Sequence, residues 1–351
     1  MSNGAIKLLM TGLLALCVFA GCGFGSAERN ITDKRSRDDK VSTADFIGTN
    51  AEPYNLSTRV ADVMNDAAFS QGNGFEPQRF GRLIFPVNRY IDDSLMLKDV
   101  GDILIWYNHV NPRKTVEIVN YLKEEAISGK QIFYPIYTEA EMKSDSWKKD
   151  TGLFFFRGKP GAKTAILNAG GGFSYVGAIH DSFPHALELS RQGYNAFALI
   201  YRPDTQKACE DLARAIAFLH EHAAELGIDM KNYSLWGGSA GARMAAWLGS
   251  FGTEYFGEKS YPQPAAVIMQ YTGLSEVYGN EPPTYNCVGT SDGIASYRIM
   301  ERRIERIKAQ GTSAEIEIFP ELPHGFGLGE GTIAEGWLNR AANFWEKQAK
   351  I

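Results

Sequence analysis

Ser239 lies in Gly237-Gly238-Ser239-Ala240-Gly241, a Gly-x-Ser-x-Gly run. A serine hydroxyl is a weak nucleophile at neutral pH. It needs a base within hydrogen-bond reach, and the base needs an acid that holds its tautomer. Beyond Ser239 the chain has one histidine, His324, and one aspartate, Asp292. They follow in the order Ser, acid, His, with 53 residues from Ser239 to Asp292 and 32 from Asp292 to His324. Asp292 stands in Gly289-Thr290-Ser291-Asp292-Gly293, and His324 in Glu321-Leu322-Pro323-His324-Gly325-Phe326. Glu276 is the rival for the acid. Such a triad attacks acyl groups, and the tetrahedral intermediate then needs backbone N–H donors. Ala240, directly after the serine, offers one. Asn168-Ala169-Gly170-Gly171-Gly172-Phe173 offers more, with Gly171 and Gly172 as the expected donors. This glycine run lacks the spacing of a phosphate-binding loop.

The elements that would position these residues are visible as short apolar runs. Thr164–Leu167, Asn195–Tyr201, Tyr233–Trp236, Ala265–Gln270, Thr284–Val288 and Ala314–Phe319 read as strands, preceded by Gln131–Tyr137 and Gly152–Phe156. Helical spacing fills Phe183–Gln192, Lys207–Leu226, Ala240–Ser250, Ile294–Gln310 and Ile333–Lys347. This alternation predicts an α/β fold with a mostly parallel sheet covered on both faces. In such a sheet the chemistry gathers at the carboxyl ends of the strands, where all the candidate residues fall. Ser239 follows a strand and opens a helix, a turn too sharp for side chains at Gly237 and Gly241. Residues 55–130 carry helical spacing over Ser57–Phe69 and Arg113–Ile127, and read as an extension that packs beside the main domain or caps its site.

From about residue 131 to 348 the chain resembles the α/β-hydrolases. The features are Asn168-Ala-Gly-Gly-Gly-Phe, Gly193-Tyr-Asn-Ala-Phe with Tyr201-Arg202-Pro203, the turn at Ser239, and His324-Gly-Phe. Together they are similar to acetyl esterases of the hormone-sensitive-lipase-like kind and to hemicellulose (acetyl xylan) acetyl esterases. The resemblance implies the α/β-hydrolase fold and a serine carboxylesterase acting on small acyl esters, carbohydrate esters among them. It calls for no cofactor. The lipase-like group has His-Gly-Gly-Gly, and here Ala169 stands in place of that His. Arg202 and Asp211 recur in the pattern and read as a structural ion pair. Two other readings use the same scaffold: a peptidase of the prolyl-oligopeptidase type, and a binding lipoprotein without catalysis.

Composition sets the outer limits. With 351 residues, 44% hydrophobic and 22% charged, the chain can bury a large core. A net charge of −5 argues against a nucleic-acid partner. An uncharged run from Leu8 to Gly21 follows Lys7 and ends Val18-Phe19-Ala20-Gly21-Cys22. It is short for a membrane span and has the length of a signal-peptide core, with small residues before a cysteine as in bacterial lipoproteins. The expected plan is a lipoprotein-type signal over 1–21, lipidation at Cys22, a polar tether over 22–54, the extension over 55–130, and the hydrolase domain over 131–351. That plan places the protein outside the cytoplasmic membrane of a bacterium and anchors it there through Cys22. Cys209 and Cys287, on a predicted helix and a predicted strand, read as buried free thiols, and no Cys/His cluster has metal-ligand spacing.

Overall fold

Eight strands form one sheet: β1 (Phe133–Pro135), β2 (Gly152–Phe156), β3 (Lys163–Asn168), β4 (Asn195–Ile200), β5 (Asp229–Gly238), β6 (Ala266–Gln270), β7 (Thr284–Gly289) and β8 (Ala314–Phe319). The computed structural model describes residues 52–71 and 78–350. The signal expected over 1–21, the lipidation expected at Cys22 and the expected tether up to residue 51 lie outside them. The strand order is β8-β7-β6-β5-β3-β4-β2-β1. β2 runs antiparallel to β1 and β4, and all other neighbours are parallel. Every residue of β2, β4, β6 and β7 is buried, as expected for strands covered on both faces. Edge strand β8 differs, with Glu315 exposed and Glu317 half-buried against Arg340, charges that discourage pairing with another chain.

Among the described residues, six helices of eight or more residues accompany the sheet: α1 (Pro112–Ile127), α2 (Phe183–Arg191), α3 (Thr205–Glu221), α4 (Ala240–Phe251), α5 (Tyr297–Ala309) and α6 (Trp337–Gln348). Local chemistry sets their ends. Asn111 caps α1 by accepting from the Arg113 N–H, with Pro112 in the first turn, where its missing N–H is harmless. Asp204 caps α3 through the Lys207 N–H.

Several expected elements are shorter in the structure. The helix read over Ser57–Phe69 is Val60–Met64 followed by a 3₁₀ turn, Ala67–Phe69, because Asp66 turns extended and caps the Ala68 N–H. The strand read over 131–137 is limited to Phe133–Pro135, since a proline has no N–H for the ladder. The helix expected from Ile294 starts at Tyr297, because Asp292 takes the N–H groups of Ile294 and Ala295. Cys209 and Cys287 are both buried and free.

Register brings the functional loops level. Asn168 of β3 pairs with Gly237 of β5, Gly238 of β5 with Gln270 of β6, and Gly289 of β7 with Phe319 of β8. The loops that follow therefore leave the same edge of the sheet. Beside that edge Arg202 and Asp211 tie the loop after β4 to α3. The guanidinium donates to the carboxylate at 2.7 Å, the Arg202 N–H donates at 2.7 Å, and the Tyr137 hydroxyl adds a third donor. Burial raises Asp211, and Arg202 opposes that rise. Both side chains are almost wholly removed from water, and without Asp211 the buried guanidinium keeps only the part-exposed carboxylates of Asp145 at 2.8 Å and Glu210 at 3.5 Å. Asp211→Ala is expected to destabilise the protein by about 3–5 kcal/mol, read from the urea midpoint. A loss under about 1 kcal/mol, the level of exposed pairs, would refute the buried-pair account.

Candidate active site

Ser239 occupies the single position between β5 and α4, with φ 51° and ψ −114°. A residue with a side chain holds such a conformation only when its surroundings enforce it. The neighbouring glycines permit it. A Cβ on Gly237 would lie 2.2 Å from the Gly241 carbonyl carbon, and one on Gly241 would lie 2.0 Å from the Asn168 carbonyl oxygen. The Ser239 N–H donates to the Gln270 carbonyl at 3.0 Å, which fixes the turn to β6.

The loops after β7 and β8 bring Asp292 and His324 to this serine. His324 Nε2 is 3.2 Å from Ser239 Oγ, and Nδ1 is 2.8 Å from Asp292 Oδ2. Asp292 Oδ1 accepts from the N–H groups of Ile294 and Ala295 at 2.8 and 2.7 Å, which aims the other oxygen at the imidazole. A carboxylate at Nδ1 keeps the proton there and leaves the Nε2 lone pair facing the hydroxyl. The Asp292 side chain is fully buried. Glu276 is not part of this line. Its carboxylate accepts from the Ser275 N–H, and its carbonyl accepts from Arg303 Nε on α5. The rival acid is thus corrected: α5 holds Glu276 in another network, and His324 meets Asp292.

The glycine loop follows β3. Gly171, Gly172 and Phe173 all have positive φ, at 124°, 60° and 57°. The N–H groups of Ser174 and Tyr175 close back on the Gly171 carbonyl. Among the described residues, the N–H groups of Gly171, Gly172 and Ala240 have no acceptor. The Gly170 N–H is occupied by Asp181 at 2.5 Å, and the Tyr201 hydroxyl donates to the Ala169 carbonyl at 2.7 Å. A serine hydroxyl within reach of an imidazole that is itself held by a carboxylate, with unpaired N–H groups on the adjoining loop and helix start, is an arrangement that could serve acyl transfer.

Comparison with known proteins bears on the fold. Residues 158–283 match the family model described as BD-FAE. No curated protein matches the sequence. A thermophilic esterase from the planctomycete Thermogutta terrifontis, solved with propionate bound, aligns at 22% identity over 61% of this chain and 93% of that one, with a TM-score of 0.53. An acetyl ester-xyloside bifunctional hydrolase from Caldicellulosiruptor lactoaceticus aligns at 19% identity over 61% of this chain and 95% of that one, with a TM-score of 0.54. The fold is that of the α/β-hydrolases.

Sequence reasoning missed several residues that pack around Ser239 and His324. Trp106, Tyr107 and Asn108 of the extension lie against it. Asn108 donates from its side chain to the His324 carbonyl at 2.7 Å and from its N–H to the Gly325 carbonyl at 3.1 Å. The Trp106 ring stacks on Tyr175 with centroids 5.4 Å apart, and a Cβ on Gly172 would lie 2.7 Å from it. Asp181, buried under the glycine loop, left one trace in the sequence: an acidic residue between the apolar pairs Ala178-Ile179 and Phe183-Pro184.

Three buried groups around the site make stability depend on pH. Burial pushes His180 down to about 4 and His185 down to about 3, each from an ordinary 6.5. His180 Nε2 donates to the Gly325 carbonyl at 3.0 Å as a neutral ring. An unfolded chain takes up these protons near pH 6.5 and the native chain does not, so their contribution is complete above 6.5 and is lost toward pH 4. Asp181 acts in the opposite direction. Burial lifts it to about 6 from 3.8, so the native state binds its proton first and gains stability on acidification from 6 to 3.8. Two histidines outweigh one aspartate. Unfolding free energy is expected to fall by about 2 kcal/mol from pH 7 to 5, measured by urea denaturation, with a shallower slope in His185→Phe. A rise over that interval would disprove the account.

Proposed function

We propose that this chain is a serine carboxylesterase that hydrolyses small acyl esters of the acetyl type, with a carbohydrate as the alcohol. The observation that carries this reading is the line from Ser239 Oγ through His324 to Asp292, set beside the unpaired N–H groups of Gly171, Gly172 and Ala240. Ser239 Oγ adds to the ester carbonyl while His324 Nε2 takes its proton. Asp292 stabilises the imidazolium, and the three N–H groups hold the developing oxyanion. His324 then protonates the leaving alkoxide, giving the free alcohol and an acyl-serine. Water attacks the acyl-serine by the same route, releasing the acid and restoring Ser239.

Two features support the substrate class. The connection between β6 and β7, residues 271–283, is too short to form a large lid. One fold relative bears the name of an acetyl ester-xyloside hydrolase. Anchoring at Cys22 belongs to the same proposal and rests on the sequence pattern alone. A carbohydrate ester outside the cell would meet such an enzyme there. Cys22→Ser is expected to move the protein from the membrane fraction to the soluble one.

Wild type should release acetate from acetylated xylan, turn over p-nitrophenyl acetate and label with a fluorophosphonate, and Ser239→Ala should do none of these. Asp292→Asn is expected to lower kcat by about 10⁴-fold, while Glu276→Gln leaves it unchanged. Cleavage of peptide amides but not esters would replace this reading with a peptidase. A wild type that neither labels nor hydrolyses would replace it with a binding protein.

A further inference from the structure

We propose that Asp181, clamped by Tyr107 of the N-terminal extension, is the positioning residue of the oxyanion loop. This rests on the esterase reading and assigns the extension a part in that reaction.

Asp181 is 3% exposed and ends a short helix, Ala178–Asp181, just after the glycine loop. Its Oδ2 accepts from the Gly170 N–H at 2.5 Å and from the Tyr107 hydroxyl at 3.0 Å, and its Oδ1 accepts from the Tyr271 hydroxyl. Three segments distant in sequence therefore meet on one carboxylate: the loop after β3, the extension and the loop after β6. Removing a carboxylate from water costs several kcal/mol unless its partners compensate, and here they are two phenols and a peptide N–H. A carboxylate accepts at both oxygens, so it serves all three donors at once. An amide would turn its NH₂ toward one of them.

The loop has little freedom to adopt another arrangement. A Cβ on Gly238 would lie 2.4 Å from both carboxylate oxygens, so the residue before the nucleophile is glycine because Asp181 fills that space. A Cβ on Gly170 would lie 2.7 Å from the Tyr107 hydroxyl and 2.8 Å from Ser239 Cβ. Asp181 thus bears directly on the backbone at the serine turn and on the first glycine of the loop. With the Gly170 N–H committed to it, the peptide that starts the positive-φ turn is fixed, and the next two N–H groups remain free. The same cluster reaches the base: the Tyr271 ring is tilted against His324 with centroids 4.9 Å apart.

The test uses the full chain with Tyr107→Phe and Asp181→Asn, and two readouts: kcat and KM for p-nitrophenyl acetate, and the Ki of an aryl trifluoromethyl ketone that adds to Ser239 as a tetrahedral adduct. Loss of one oxyanion donor lowers kcat by about 10²–10³-fold. Loss of its positioning should lower kcat by about 10-fold in Tyr107→Phe and about 100-fold in Asp181→Asn, with KM little changed and Ki rising in parallel. A thermal midpoint that drops while kcat and Ki hold would reduce the cluster to a structural role and overturn the proposal. If Asp181→Asn fails to fold, Tyr107→Phe decides, since it keeps the ring and removes only the hydroxyl. Unaffected variants of an active wild type defeat the positioning role alone. A wild type without hydrolysis or ketone binding defeats the esterase reading and this role with it.

Discussion

The backbone at Ser239 is the constraint on which the rest of the molecule depends. Its positive φ is unfavourable for a residue with a side chain, and it persists because β5 and α4 leave one residue in which to reverse direction. Forces from both sides hold that reversal. Neighbouring β6 receives the Ser239 N–H, and the end of β3 presses its Asn168 carbonyl against Gly241. A parallel sheet supplies these contacts because the ends of adjacent strands are level. The apolar strands that build the sheet are thus also what holds Ser239 out of line with ordinary backbone.

Two aspartates near the serine show how environment separates the roles of one residue type. Asp292 is buried but reaches His324 on one side and two backbone N–H groups on the other, so its charge is matched to the base. Asp181 is equally buried and faces phenols and a peptide N–H, and burial lifts it to about 6. One carboxylate holds an imidazole ring, the other gathers donors from separate loops. Their chemistry follows from their partners rather than from their distance to the serine.

The extension is joined to the hydrolase core through specific contacts. Val87 forms a bridge with Val176, Asn88 donates to the Ser174 carbonyl, and Arg89 lies over the Tyr175 ring. These contacts lie just beyond the glycine loop, while Asn108 holds the loop of His324. The stretch from Val87 to Asn108 therefore braces both the end of the glycine loop and the loop that carries His324.

Much of the site could be read from residue types and order. Gly-x-Ser-x-Gly between an apolar strand and a helix, and one aspartate and one histidine after it, singled out Ser239, His324 and, ahead of Glu276, Asp292, because local steric demands and chain order are written in sequence. The alternating apolar runs determined the α/β class for the same reason. Element ends were less legible, since they turn on a few side-chain hydrogen bonds, such as that of Asp66 with the Ala68 N–H and those of Asp292 with the Ile294 and Ala295 N–H groups. Tertiary structure alone decided between Asp292 and Glu276, both of which follow strands of the same sheet. It alone brought Tyr107 and Asp181, 74 residues apart, to one carboxylate cluster. Such pairings have no local signature, because burial and distance between remote segments exist only once the sheet has set where each loop emerges.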